Sequence, residues 1–279
     1  MKSDSYRNPV PPGLFLNAPK ENITKRIRMV DIIGIDVDNC LMRGHGQIHI
    51  AVKLLPEILL LAFKGFPLEF SRKILAGISG LFVFQLKKSL GTDSFNLFIM
   101  ECFARTLQGI DREHFEAAIG AFKRYVRPGA AKALRSFLNM APVVLLSLGL
   151  EPVVKWLLSQ CLVDTERSSV RVYANRIKFD TVCGRKVFAG YDRTWMVRNG
   201  KEKLELMVRE ASRIGARSPL VIGHDENDVE LVKWASERGG VSLGFMPRKD
   251  CRHLFDVVID EPSWDRVVDF FRCLRVDEG

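Results

Sequence analysis

Two carboxylates with one residue between them, Asp36 and Asp38, stand at the end of an apolar, β-branched run, residues 31–37 (DIIGIDV). In an extended segment residues i and i+2 point to the same side, so both acids face one crevice. Crowded carboxylates repel each other, which favours a bound cation or a single proton on the pair. Such a pair suits phosphoryl transfer. One carboxylate can attack phosphorus as a nucleophile, while the other protonates the leaving alkoxide and later deprotonates the attacking water. Two strand-end aspartates that merely cap a turn would read the same way, so the rest of the chain has to supply the context.

Three further stretches do so. Residues 143–149 (VVLLSLG) carry Ser147 and Gly149, a hydroxyl and a backbone N–H that can hold a phosphoryl oxygen. Lys201 and Lys203 follow Asn199 and Gly200 at a helix start. A lysine in the crevice would neutralise charge developing on the phosphoryl group. Residues 221–229 (VIGHDENDV) carry Asp225, Glu226 and Asp228. These are oxygen donors suited to a hard cation such as Mg2+, or else an acidic first turn favoured by the dipole of the next helix.

The elements that must position these groups alternate along the chain. Short β-branched runs at 31–37, 143–147, 169–173, 220–223, 241–245 and 257–259 are bounded by Gly, Pro or Asp, as buried parallel strands are. Amphipathic patterns at 130–138, 151–160, 200–214, 227–237 and 264–273 predict helices. The alternation predicts an α/β fold with a doubly wound, Rossmann-like parallel sheet, whose ligands lie beyond the carboxyl ends of the strands. Residues 48–126 are long, apolar and helical in pattern. A crossover needs only about a dozen residues, so this stretch predicts a helical cap inserted into a core formed by 29–47 and 127–279. Pro9, Pro11, Pro12 and Gly13 predict an irregular arm over residues 1–28.

In this order the four motifs resemble the haloacid dehalogenase-like superfamily. Its pattern is a strand ending D-x-D-x-[TV], a strand ending in Ser or Thr, a lysine, and a strand ending G-D-x-x-x-D. The counterparts here are Asp36-Val37-Asp38-Asn39-Cys40, Ser147, Lys201 or Lys203, and Gly223-His224-Asp225-Glu226-Asn227-Asp228. Within it, residues 172–177 (VYANRI), Gly184 and Gly200-Lys201 are similar to the corresponding stretch of phosphoserine phosphatases. The resemblance implies a Mg2+-dependent phosphatase acting on a small phosphorylated metabolite, a lipid-like one included. Asp36 would be the nucleophile and Asp38 the general acid and base. Ser147, Gly149 and Lys201 would bind the phosphoryl group. The ion would be held by Asp36, the Asp38 carbonyl and Asp228 or Asp225.

Two positions depart from the pattern. Cys40 replaces the usual Thr or Val, and His224 stands where the main acidic metal ligand is expected. An imidazole is a poorer Mg2+ ligand than a carboxylate. Either Asp225 or Asp228 takes over, or metal binding is weakened, or an ion that accepts nitrogen, such as Mn2+, serves better. The rival reading is a binder of phosphorylated ligands that kept the crevice and lost turnover. His224 favours it; Asp36, Asp38, Lys201 and Asp228 oppose it.

Composition narrows the remainder. The formal net charge is +9, which favours anionic partners without choosing one. Lys25, Arg26 and Arg28 are too few for a nucleic-acid surface. No two of the six cysteines form a C-x-x-C pair, which excludes a zinc ribbon and suits reduced thiols in a cytoplasmic protein. The uncharged apolar run 74–86 is shorter than the roughly 20 residues of a membrane span. With Lys64, Lys73, Lys87 and Lys88 around it, the cap's apolar surface is also suited to peripheral membrane contact.

Overall fold

The computed structural model describes residues 13–64, 91–163 and 169–276. In chain order the strands are β1 (Leu14–Leu16), β2 (Ile32–Asp36), β3 (Val143–Leu150), β4 (Val170–Asn175), β5 (Ile177–Val182), β6 (Arg185–Tyr191), β7 (Pro219–Gly223), β8 (Val241–Phe245) and β9 (Val257–Ile259). The helices are α1 (Lys20–Arg28), α2 (Gly46–Lys53), α3 (Leu55–Lys64), α4 (Thr92–Leu107), α5 (Arg112–Gly120), α6 (Ala130–Leu138), α7 (Glu151–Gln160), α8 (Gly200–Ile214), α9 (Val229–Glu237) and α10 (Asp265–Val276).

Seven strands form one sheet in the order β1-β9-β8-β7-β2-β3-β4. All neighbours are parallel except β1, which runs antiparallel to β9. Successive strand residues enter opposite cores. Ile33, Ile35, Val143, Leu145, Leu220 and Ile222 pack on one face of the sheet. Ile32, Val144, Leu146 and Val221 pack on the other, against Met207 and Ala211 of α8 and Leu231 and Ala235 of α9. A sheet covered on both faces needs apolar residues at every position, which is why these strands read as unbroken β-branched runs.

The candidate nucleophile lies where the strand order turns. The chain passes from β2 to β3 on one side and later returns to β7 on the other, so β2 sits between the two. Such a switch point leaves a crevice beyond the strand ends, and Asp36 is the last residue of β2.

Helices α2 to α5 lie between β2 and β3. Their core is continuous with that of the sheet: Ile50, Leu54, Ile58, Phe103, Leu107 and Phe115 belong to the same apolar cluster as Ile33 and Leu145. The stretch 66–86, with its apolar runs, lies outside the described residues. Among the described residues no helix is long and apolar enough to cross a membrane.

Two features differ from the sequence expectation. Residues 14–28 are not an irregular arm. β1 extends the sheet edge, and α1 buries Ile23 and Ile27 while Arg26 places both Nη atoms 3.0 Å from the two carboxylate oxygens of Asp256. A three-residue strand and a nine-residue helix just after a proline cluster give too short a periodicity to stand out. The second is the antiparallel hairpin β5–β6, which follows β4 in the chain yet packs on the inserted helices. Gly109 N donates to Phe188 O, Phe188 N donates to Ile110 O, and the Phe188 ring stacks on Phe115 with centroids 5.4 Å apart. Four of the six residues of β5 are exposed, so its sequence lacks the apolar run that marks the buried strands.

Asn175 ties this framework together. Its side chain is fully buried. Oδ1 accepts from Val197 N (2.7 Å), and Nδ2 donates to Leu148 O (2.7 Å) and Val197 O (3.0 Å). It thereby locks the end of β3 to the loop that leads into α8. Asn175→Ala is expected to lower stability by about 2–4 kcal/mol, because three buried backbone groups lose their partner. A lower denaturant midpoint at unchanged m-value would register it; an unchanged midpoint would refute it.

Candidate active site

At the end of β2 the backbone stays extended through Asp36 (φ −71°, ψ 145°) and turns sharply at Asn39, whose φ is 58°. Asparagine tolerates this left-handed conformation because its short side chain bonds locally. Here Asn39 Oδ1 accepts from Gly44 N at 2.9 Å. Arg127 Nε donates to the Asn39 carbonyl at 3.0 Å, and Trp264 Nε1 to the Cys40 carbonyl at 3.0 Å. The turn is therefore closed on itself by Gly44 and anchored from outside by Arg127 and Trp264.

Asp36 is 4% exposed. Its Oδ1 accepts from Lys203 Nζ at 2.6 Å, and the same ammonium donates to Asp228 Oδ1 at 2.9 Å. Burial alone would raise the Asp36 pKa, but Lys203, and after it His224, hold it at about 2. Burial likewise works against the charge on Lys203, yet Asp228 and Asp36 outweigh it and keep the ammonium protonated far above the ordinary lysine value. Burial raises Asp228 to about 6 against the pull of Lys203. Two carboxylates thus share one lysine, and Asp36 holds the more firmly ionised place.

The lysine in the crevice is Lys203. Lys201, at the start of the same helix, is exposed. The signal was available: Lys203 precedes Met207 by four residues and so lies on the apolar, buried face of α8, where a lysine is out of character unless a carboxylate meets it.

Asp38 turns to the other side of the crevice. Its Oδ1 accepts from Gly46 N at 3.0 Å, and its Oδ2 from the Ser147 hydroxyl at 3.1 Å. Gly149 N in turn donates to Ser147 Oγ at 2.8 Å. A Cβ at Gly149 would lie 2.6 Å from Asp38 Oδ2 and 2.9 Å from Ser147 Oγ, so a larger residue would displace these two side chains. Asp36, Asp38, Ser147, Gly149 and Asp228 are thus gathered at one end of the sheet.

Residues 223–228 fold back on themselves. Asp228 Oδ2 accepts from His224 N at 2.8 Å. With Oδ1 bonded to Lys203, both oxygens of Asp228 are engaged, and its visible task is to fix the lysine. Asp225 Oδ1 accepts from Asn227 N at 2.9 Å. The close return of Asp228 requires a glycine, since a Cβ on Gly223 would come within 2.5 Å of the Asp228 side chain.

His224 points into the cluster. Its Nδ1 lies 3.0 Å from Asp36 Oδ2, and its Nε2 is 3.4 Å from Asp225 Oδ2 and 3.2 Å from Asn39 Nδ2. Nδ1 and Asp36 Oδ2 face each other as an ion pair without hydrogen-bond geometry, and Nδ1 also lies 3.7 Å from Asp228 Oδ2. Burial opposes a charge on the imidazole, but Asp36 raises its pKa well above the ordinary histidine value. Burial pushes the Cys40 thiol up to about 12. Two sets of ligand atoms lie close enough for one metal ion: Asp36, Cys40 and His224, and His224, Asp225 and Asp228. These clustered donors fit a divalent cation.

The sequence reading also missed how the inserted helices meet the site. Asn96 of α4 donates to Asn227 Oδ1 at 2.9 Å, and Gln47 of α2 donates to Leu148 O (3.2 Å) and Tyr191 Oη (3.0 Å). These contacts cross between segments far apart in sequence and leave no periodic trace.

No family model matches the chain, and no curated protein matches it significantly. Solved structures do. A phospho-aspartyl intermediate analogue of phosphoserine phosphatase superposes with a TM-score of 0.59 at 17% identity, over 86% of this chain and 98% of that one. A haloacid dehalogenase-family hydrolase from Salmonella enterica serovar Typhi gives 0.60 at 16% identity, over 89% and 72%. Cytosolic 5'-nucleotidase IIIB bound to cytidine gives 0.61 at 11% identity, over 95% of both chains. The fold is therefore that of the haloacid dehalogenase-like hydrolases. The likeness in fold extends to the phosphoserine phosphatase structures, and in this chain helices are inserted between β2 and β3.

Proposed function

We propose that this chain is a phosphatase that hydrolyses a small phosphate monoester through an aspartyl-phosphate on Asp36. The carrying observation is the buried Asp36–Lys203–Asp228 row at the end of β2, which keeps a carboxylate ionised beside the Asp38–Ser147–Gly149 group. Asp36 attacks phosphorus, and the ester P–O bond breaks as Asp38 protonates the leaving oxygen. Lys203 balances charge on the transferred group. The Ser147 hydroxyl and Gly149 N–H, now bonded within the Asp38 group, are placed to hold phosphoryl oxygens once a substrate displaces those bonds. Asp38 then takes a proton from water, whose oxygen attacks phosphorus and restores the Asp36 carboxylate. A divalent cation would be held by Asp36 and the 224–228 turn and would neutralise phosphoryl charge. Mg2+ suits the carboxylates and carbonyls there but not the imidazole of His224.

The substrate class follows from the cover. Gln47 of α2 bonds to Leu148, next to Ser147, and Asn96 of α4 bonds to Asn227, next to Asp228; polar contacts from the inserted helices this near the site favour a small phosphorylated molecule. The solved complex of a phosphoserine phosphatase with its substrate supports that scale. His224 favours a second reading, a member of this fold that binds phosphorylated ligands and turns over weakly.

Rapid quench of Asp38→Asn with an aryl phosphate separates the two. The amide cannot deprotonate water, so a phosphoryl adduct is expected to accumulate on the peptide that carries Asp36. Absence of any adduct in both this variant and the wild type would overturn the hydrolytic reading.

A further inference from the structure

The donors gathered at Asp36 are one oxygen, one nitrogen and one sulfur, a mixture foreign to a magnesium site. We propose that Asp36, Cys40 and His224 form a three-ligand site for a borderline divalent cation of the Zn2+ class, taken in preference to Mg2+. The inference deepens the reading of the same crevice and rests on it for its catalytic consequence, whereas cation binding is measured separately.

The geometry comes from two turns. Asp36 and Cys40 lie on the turn after β2, His224 on the turn after β7, and the two strands are paired in parallel with Ile35 opposite Ile222. The pairing brings the three ligand atoms within 4.8 Å of one another, all on buried residues. Asp36 Oδ2 and His224 Nδ1 are two of the five buried side-chain atoms, among the described residues, that make no well-formed hydrogen bond, and they face each other at 3.0 Å. Two buried polar atoms this close without a well-aligned hydrogen bond are poorly satisfied by each other, and a cation bound by both would satisfy them at once.

Donor chemistry selects the ion. Mg2+ binds oxygen in near-octahedral geometry and gives up water reluctantly. Zn2+ takes carboxylate oxygen, imidazole nitrogen and thiolate sulfur, and three protein ligands leave a fourth position for water or substrate. Coordination displaces the protons of the thiol and of the ligating ring nitrogen. The other carboxylates serve better as support. Asp228 has both oxygens engaged, while Asp225 Oδ2, 3.4 Å from His224 Nε2, faces the ring from behind as an acceptor for its N–H. Such outer contacts are what fix a histidine ligand.

The test uses the full chain, stripped with a chelator and titrated with Co2+ as a coloured substitute for Zn2+. A near-ultraviolet thiolate-to-cobalt charge-transfer band is expected. Zn2+ should abolish it by displacement, and a large excess of Mg2+ should leave it in place. Cys40→Ala should lose the band and weaken Zn2+ binding by more than about tenfold, the scale on which metal-site partners act. If that variant does not fold by circular dichroism, Cys40→Ser preserves the volume and should lose the same band. His224→Asp should shift preference toward Mg2+. Bound Co2+ without a thiolate band, equal displacement by Mg2+, or failure to bind either ion would overturn the inference. Zn2+ binding through Cys40 without phosphate release would leave it standing and remove the proposed hydrolysis. Mg2+-supported hydrolysis without the band would do the reverse.

Discussion

Asp36→Asn is expected to stop hydrolysis of para-nitrophenyl phosphate, with a loss on the order of 10⁴-fold or more, as when other enzymes lose their nucleophile. An amide of the same shape does not attack phosphorus, and no other described carboxylate occupies its place. Asp38 is committed to Gly46 and Ser147, and Asp228 to Lys203 and the backbone of His224. The fold should survive. Lys203 keeps Asp228 as its counter-ion, so the substitution strands no buried charge. Phosphate release and a thermal melt on the same preparation check both halves. Turnover near that of the wild type would refute the covalent mechanism, whatever the melt shows.

Lys203→Met is expected to be nearly as damaging to activity, and it should also weaken the fold. Methionine fills much of the lysine's volume but leaves Asp36 and Asp228 facing each other, buried, without the cation between them. Removing one partner of a buried ion pair costs about 3–5 kcal/mol. The pH dependence should reveal the cause. In the wild type the Asp36 pKa is depressed to about 2. A depressed carboxylate stabilises the fold above its unfolded value near 4 and loses that contribution as pH falls through about 2. Without Lys203, burial would raise the Asp36 pKa instead. The variant should then fall furthest below the wild type near neutral pH, and the gap should narrow as acid protonates the carboxylates. The acid limb of its residual pH–rate profile should also move to higher pH. A stability gap that is constant from neutral pH into the acid range would show that Lys203 acts by packing alone.

The physical reasons for these effects were unequally visible in the chain. The six core strands and the helix at 200–214 could be read directly, because a sheet covered on both faces and an amphipathic helix each impose a local period on the sequence. Asp36, Asp38, Ser147 and Asp228 could be located for the same reason: each ends or follows a strand, and strand ends in a parallel sheet converge. The hairpin 177–191 was not legible, because its partners are helices some 70 residues earlier and its exposed face carries no apolar alternation. Residues 14–28 escaped because a short edge strand and a short helix carry too little periodicity to register.

Tertiary structure alone decided the details of the chemistry. Lys201 and Lys203 sit two apart on one helix, and nothing in their identity says which is buried. The rotation of α8 against β2 and β7 settles it, placing Lys203 between two carboxylates and Lys201 toward solvent. His224 could be seen in the sequence only as a departure from an acidic pattern. Its meeting with Asp36 and Cys40 depends on the parallel pairing of β2, which ends at Asp36, with β7, which begins only at Pro219. Local periodicity encodes which residues are buried and which strand ends carry acids. The distances that choose among lysines, ligands and ions arise only when distant turns are brought side by side.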